Sequence, residues 1–484
     1  LSKLLVVFAI ILLLAMYIGS MLWIFFEPER FLQLVLGFIL IGFVYGSYGL
    51  LVGALLKGEL EGILLITLLA LFAINAPIAV AIGAASVVGI MVQGDFSLMV
   101  VAQRMYGGTD SFHLLAVPLF MFAGALMEAG GISRRIIDLA NALVGWLPGG
   151  LAAVTIVSAM FFAGISGSAA ADAAAVGAIL IPAMKKSAYD SDFSAAVLAS
   201  GGSIGVIIPP SIPMIIFGFL TGASIGQLFA GGILPGLLVG TSLIVVASVI
   251  SKRRGYGATF PFSLRQVGRT FRKALLALGA PLIILGGILL GIFTATESAA
   301  IAVVYALVVS MAVYREIQWR QLPKIIIDAA VTASVVMFII AAASIFSWIA
   351  AIEELPARLA GALLALTTDR VFLLLLINLI LLIAGTFVET TAALILLVPM
   401  IVAMLPALGI DLVQLGVIVV TNLAIGMLTP PMGICLIVAG TISGDRLGAI
   451  AWRIGPFLLV LLIDLMVVTF YAPLTMWLAG MVAR

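Results

Sequence analysis

The chain of 484 residues is 64% hydrophobic and 9% charged, with a mean hydropathy of +1.36, which excludes a water-soluble globular fold and points to a polytopic membrane protein. A formal charge of +2 provides no basic tail for nucleic acid, and the lone cysteine, Cys435, excludes an internal disulfide or a thiolate cage for a metal. The one partner that composition implies is the lipid bilayer.

In chain order, only Lys3 precedes an apolar run to about Phe26, with no small-residue cleavage site and soluble domain behind it, so the run reads as an anchor helix and not a removed signal peptide. With the next run, 31–56, it gives two transmembrane helices over 1–59. Further apolar stretches follow at 63–92, 114–127, 136–184 and 193–251, the last without a charged side chain and long enough for two crossings. Residues 252–273 then interrupt the pattern with seven Lys or Arg and no acid, which predicts a cytoplasmic linker. Beyond it lie apolar stretches at 274–314, 325–352, 371–404, 412–442 and 454–482.

The two blocks repeat one another. "GGSIGVIIPPSIP" at 201–213 and "NLAIGMLTPPMGI" at 422–434 place Gly205, Pro209 and Pro210 opposite Gly426, Pro430 and Pro431, a displacement of 221 residues. Gly164 and Gly385 keep that displacement, and "LANAL" from Leu139 lies 220 residues before "LAGAL" from Leu359. This spacing predicts a first transporter repeat over 60–251 and a second over 274–484. Lys185, Lys186 and Lys252–Arg254 flank segments of the first copy whose counterparts, "MIVAMLPALGID" among them, carry almost no Lys or Arg. Equivalent loops of opposite bias predict inverted repeats.

A Pro-Pro pair removes two backbone donors and favours extended backbone just before it. Each motif therefore predicts a discontinuous helix, at about 193–220 and 412–442, with freed carbonyls for a cation and a half-helix N-terminus for an anion. A plain proline kink is the competing reading, weakened by the recurrence. The small-residue runs "GISGSAAAD" at 164–172 and "GTFVETT" at 385–391 lie between apolar arms too short to span, which predicts re-entrant hairpins at about 149–186 and 370–405. Gly, Ser and Thr at such tips also suit close helix packing. Four carboxylates lie in apolar surroundings: Asp172 and Glu389, beside the tips, are functional candidates, while Glu297 and Asp464 read as partners of nearby helix ends. His113, near Asp110, reads as an interfacial residue.

Together, "FAGISGSAAADAAAVGAILIPAM", "GIFTATESAAIAVVYAL", "GTFVETTAALILLVPM" and "NLAIGMLTPPMG" resemble the large membrane subunit of tripartite ATP-independent periplasmic (TRAP) transporters, the DctM-like family, over about residues 60–484. The resemblance implies an all-α, elevator-type importer with two re-entrant hairpins and two discontinuous helices. It implies sodium coupling at two sites and an organic acid anion delivered by a periplasmic, DctP-like solute-binding protein. It also implies a small, DctQ-like membrane subunit and a place in the bacterial inner membrane. Carried over, one sodium site uses Ser166, Gly167 and Ser168 with Gly205, Ile208 and Pro210; the other uses Gly385, Thr386 and Thr390 with Gly426, Thr429 and Met432. The substrate lies between the tips, with Ser168, Asp172, Ser203, Ser211, Glu389 and Thr390 lining or supporting that space.

Residues 1–59 depart from the family pattern, as a remnant of a fused small subunit or an extended N-terminus. Two helices are too few for the four-helix small subunit, so a separate chain is still expected. Among rival classes, "GISG" at 164–167 has the form of rhomboid-type serine proteases, but the only histidine, His113, precedes the serine. A primary pump lacks the nucleotide motif GxxxxGK[ST] in this chain. A channel fits a duplicated hairpin-and-break design less well than alternating access does. The chain therefore reads as a transporter and not an enzyme, the alternative being a stand-alone sodium/dicarboxylate symporter without a binding protein.

Overall fold

The computed structural model describes residues 60–74, 76–258, 261–430 and 433–482; the two helices expected over 1–59 lie outside these, as does Met432. The described residues form helices and contain no strand. In chain order the helices begin with α1 (Leu60–Ala73), α2 (Ile78–Gln93), α3 (Met99–Thr109), α4 (Ala116–Ala129), α5 (Ile132–Val144), α6 (Gly150–Ser166) and α7 (Ala169–Lys186). They continue with α8 (Ser191–Ser203), α9 (Ile212–Thr221), α10 (Ile225–Arg254), α11 (Leu264–Leu289), α12 (Ala295–Leu307), α13 (Leu322–Ile352) and α14 (Leu355–Leu364). The last are α15 (Arg370–Phe387), α16 (Thr390–Ala403), α17 (Leu405–Leu408), α18 (Leu412–Gly426), α19 (Ile434–Ser443), α20 (Leu447–Phe470) and α21 (Pro473–Ala479).

Among the described residues, six helices are long and apolar enough to cross a bilayer: α10, α11, α12 with its π-helical extension to Val313, α13, α15 and α20. Apolar helices α6, α9, α16, α18 and α19 are shorter, at 10–17 residues, and all border the segments that the sequence marks as tips or breaks.

The chain divides into two compact units. Unit 1 comprises 60–111, 334–383 and 391–409 of the described residues. Here α2 and α3 meet the second part of α13: Gly83 faces the Ala342 methyl, Phe96 packs edge-on against Trp348 at 5.0 Å, and Arg104 lies over the same ring. Gln93 Nε2 donates to Glu353 Oε1 at 3.1 Å.

Unit 2 comprises 112–333, 384–390 and, from 410 on, the remaining described residues. Helices α6 and α7 form a hairpin joined by Gly167 and Ser168, and both pack on α8. Helix α8 also packs on α19, while α9 packs on α18, so the first half of each broken helix lies against the second half of the other. Both α8 from Phe193 and α18 from Val413 are buried along their whole length. That explains their composition, since a helix surrounded by protein needs no polar face.

Helix ends recur with the displacement of the sequence motifs. Ser166 and Phe387 end α6 and α15, Ala169 and Thr390 begin α7 and α16, and Ser191 and Leu412 begin α8 and α18, each pair 221 residues apart. The tips are tighter than the sequence suggests. Helix α6 runs through Ser166 and α15 through Phe387, leaving Gly167–Ser168 and Val388–Glu389 as two-residue connections and making α15 long enough to span.

Candidate functional site

All the described candidate residues fall in unit 2, where they form two clusters, each a tip against the break of its own half. In the first, Gly167 adopts φ 63°, which only glycine takes without strain, and a Cβ there would lie 2.5 Å from the Pro210 carbonyl oxygen. Its own carbonyl accepts a hydrogen bond from Ile212 N at 3.4 Å, tying tip to break.

Pro209 and Pro210, joined by a cis peptide bond, withhold the N–H groups that helical geometry would aim at the carbonyls of Gly205 and Val206. Ser211 Oγ replaces one, donating to Val206 O at 2.6 Å, and also caps α9 by accepting from Met214 N at 3.3 Å. The Gly205 carbonyl keeps no helical donor. Above Gly205 sits Asp172, fully buried in the first turn of α7, where the helix dipole favours an anion. Ser166 Oγ donates to Asp172 Oδ1 at 2.5 Å and accepts from Ser168 N at 3.0 Å. Asp172 Oδ2 has no hydrogen-bond partner, and a Cβ on Gly205 would collide with it. A buried carboxylate oxygen left in this state calls for a cation, a proton or water.

The second cluster repeats the backbone arrangement with other side chains. A Cβ on Gly426 would lie 2.6 Å from the backbone of Gly385, so the two chains touch where only glycines fit. Here the carbonyls that Pro430 and Pro431 would leave open are both taken: Gly426 O accepts from Thr429 N at 2.9 Å and Met427 O from Cys435 N at 3.1 Å. Thr390, first residue of α16, is 2% exposed with its Oγ1 unpartnered. Thr386 is buried and Glu389 half-buried at the tip. Thr429 Oγ1 donates to Ile425 O at 2.9 Å.

Several expected residues do other things. Ser203 is buried, its hydroxyl donating to Ser200 O at 2.8 Å, and Ile208 and Pro210 present backbone only within the irregular 207–211 segment. Glu297 does serve a helix end: with Thr294 it closes the capping box of α12. Asp464 does not, because it lies within α20 and takes Ser242 Oγ from the middle of α10 at 3.0 Å, a lateral bridge between helices. His113 is exposed in a single 3-10 turn. Sequence reasoning passed over Thr421 and Asn422, fully buried on α18 just before the second break; the available signal was two adjacent polar residues inside "VIVVTNLAIG". No three His, Cys, Asp or Glu side chains converge among the described residues, so cation donors in these clusters are carbonyl, hydroxyl and single carboxylate oxygens.

Residues 65–474 match the family described as the tripartite ATP-independent periplasmic transporter, DctM component. The chain belongs to the DctM family. As a DctM protein it is a transporter component rather than an enzyme, and a multi-pass protein of the bacterial inner membrane. It is 41% identical to an isethionate TRAP transporter permease, DctMQ, of Oleidesulfovibrio alaskensis over 84% of this chain, but spans only 64% of that relative's length. It is 39% identical to the C4-dicarboxylate TRAP transporter large permease DctM of Pseudomonas aeruginosa, covering 80% of this chain and 91% of the relative. A sialic acid large permease, SiaM of Vibrio cholerae, shares 40% identity over 78% of this chain and 88% of its own. Among solved structures, the YdaH transporter of Alcanivorax borkumensis has a similar fold, with a TM-score of 0.52 over 77% of this DctM chain and 87% of that one, at 13% identity.

Proposed function

We propose that this DctM protein is the large permease subunit of a sodium-coupled importer that carries an organic acid anion, received from a DctP-like periplasmic binding protein, and works with a DctQ-like small subunit. The observation that carries the reading is the pair of tip-and-break clusters, each holding a buried oxygen without a partner, Asp172 Oδ2 in one and Thr390 Oγ1 in the other. Two oxygen-lined clusters suit two hard cations. Asp172, Ser166, Ser168 and the Gly205 carbonyl serve the first; Thr390, Thr386, Thr429 and the Gly385–Gly426 backbone serve the second.

The relatives are named for isethionate, C4-dicarboxylate and sialic acid, all organic anions, which supports the same substrate class here. No Lys or Arg occurs in 164–172, 201–213, 385–391 or 422–434, so an anion is met by hydroxyls, half-helix N-termini and the bound cations themselves. Cation binding orders the tips and completes the anion site. The hairpin domain then moves across the membrane relative to the rest of the protein, with each net positive charge gaining about 2.3 kcal/mol per 100 mV.

The test is uptake of labelled organic acids into proteoliposomes holding this chain and a small subunit, with and without an inward sodium gradient and the binding protein. Uptake that requires both supports the tripartite reading. Sodium-driven uptake without the binding protein reassigns the chain as a stand-alone sodium/dicarboxylate symporter, and uptake indifferent to sodium removes both cation sites.

A further inference from the structure

A second polar centre lies far from the clusters in sequence, where α10 ends and α20 begins. A cavity of about 250 Å3 opens there, lined by Arg253, Arg254 and Ile250 of α10, Trp452, Arg453 and Pro456 of α20, and Phe193. Three guanidinium groups line it and no acid does. The nearby carboxylates hold the walls: Asp190 pairs with Arg254 at 2.6 Å and Asp192 with Arg453 at 2.7 Å, while Arg254 also lies over the Phe193 ring at 5.2 Å. A guanidinium has five N–H donors, so both ion-paired arginines retain donors for a further anion. Arg253 is exposed and forms no ion pair or hydrogen bond with any described residue.

What separates this cavity from a simple anion trap is the surface that leads away from it. Along α10, Val249 and Val245 follow Arg253 at four-residue steps and are exposed; along α20, Leu459 and Ile463 continue from Pro456 and are 64% and 55% exposed. The two helices pack together and run in opposite directions from the cavity end, so both stripes descend from the same mouth into the apolar spans. Trp452, half exposed at that mouth, is the residue type that marks the membrane interface. Lys252, Arg253 and Arg254 also open the basic linker that reads as cytoplasmic.

We propose that this cavity binds the headgroup of an anionic phospholipid from the cytoplasmic leaflet, its phosphate held by Arg253 beside the anchored Arg254 and Arg453 and its acyl chains lying on Val245, Val249, Leu459 and Ile463. Inorganic phosphate shares the headgroup chemistry but has no use for the stripes. Planar guanidinium forks match phosphate oxygens in pairs, which is why arginine and not lysine lines such a site.

The experiment reconstitutes the full chain in phosphatidylcholine vesicles doped with dibrominated phosphatidylglycerol or dibrominated phosphatidylcholine, whose bromines quench tryptophan on contact. The Trp452 signal is the difference between wild type and Trp452→Phe. Half-quenching is expected at a several-fold lower fraction of the brominated phosphatidylglycerol, and Arg253→Gln should raise that fraction about fivefold. Arg265→Gln, in the same basic stretch but outside the cavity, should leave it unchanged. Native mass spectrometry of the wild-type chain needs no variant, and phosphatidylglycerol adducts should outlast phosphatidylethanolamine adducts. Equal quenching by the two brominated lipids, equal adduct retention, or insensitivity to Arg253→Gln overturns the proposal. Complete relief of quenching by millimolar inorganic phosphate also overturns it, in favour of a free-anion site.

Discussion

The two tip-and-break clusters share their helix boundaries to the residue but not their side chains. At the common displacement of 221, Asp172 stands opposite Ala393 and Ser211 opposite Met432. The first cluster holds a buried carboxylate and needs a serine hydroxyl to satisfy Val206 O; the second has no such carboxylate and satisfies the matching Met427 O from Cys435 N. What the fold repeats is therefore the broken backbone with its glycine contact. Fixed charge is a property of one half only, and the two clusters are expected to differ in how strongly each depends on its side chains.

The comparison is most easily broken at the shared glycine contact. Gly426→Ala inserts a methyl group 2.6 Å from the Gly385 backbone, which cannot rotate away, so uptake should be abolished and stability should fall by about 1–3 kcal/mol. Thermal unfolding and transport assays check both, and a variant with wild-type uptake would show that the close approach is not needed. Next in size is Asp172→Asn, which keeps the volume and an acceptor for Ser166 but removes the charge. It should raise the sodium concentration for half-maximal uptake at least about tenfold with little change in unfolding temperature. An unchanged sodium response would take Asp172 out of the first cation site.

Ser211→Ala removes both the bond to Val206 O and the α9 cap, and should cost about 1 kcal/mol of stability, read by denaturation in detergent. The smallest effect is expected from Thr390→Val, which loses a hydroxyl that has no protein partner. Stability should hold while sodium affinity weakens about threefold, and a clear drop in stability instead would mean that the hydroxyl serves packing.

Much of this arrangement was legible in the sequence because proline and glycine act locally. Pro209–Pro210 and Pro430–Pro431 stop a helix whatever surrounds them, and their common displacement from Gly164 and Gly385 placed the tips before any packing was known. What escaped were features set by neighbours distant in sequence. The end of α15 moved past Gly385 and Thr386 because the glycine is held in helix by contact with Gly426, and no local rule reports that. Asp464 looked like a helix-end partner from its surroundings, yet Ser242 on α10 claims it. Thr421 and Asn422 were hidden by their apolar context, since burial of a polar pair is decided by the helices packed around α18.

The reciprocal packing of the broken helices also sets a schedule for synthesis. Helices α7 and α8 are complete by Ser203, but α19, against which both pack, ends at Ser443, some 240 residues later. At typical elongation rates that gap lasts on the order of 10–50 s. Throughout it, the small-residue faces of α7 and α8 stand in the membrane without their final neighbour. The first hairpin is thus the earliest part of the core to be made and among the last to be finished, and a ribosome stalled between the two halves leaves behind a nascent chain that cannot close its own centre.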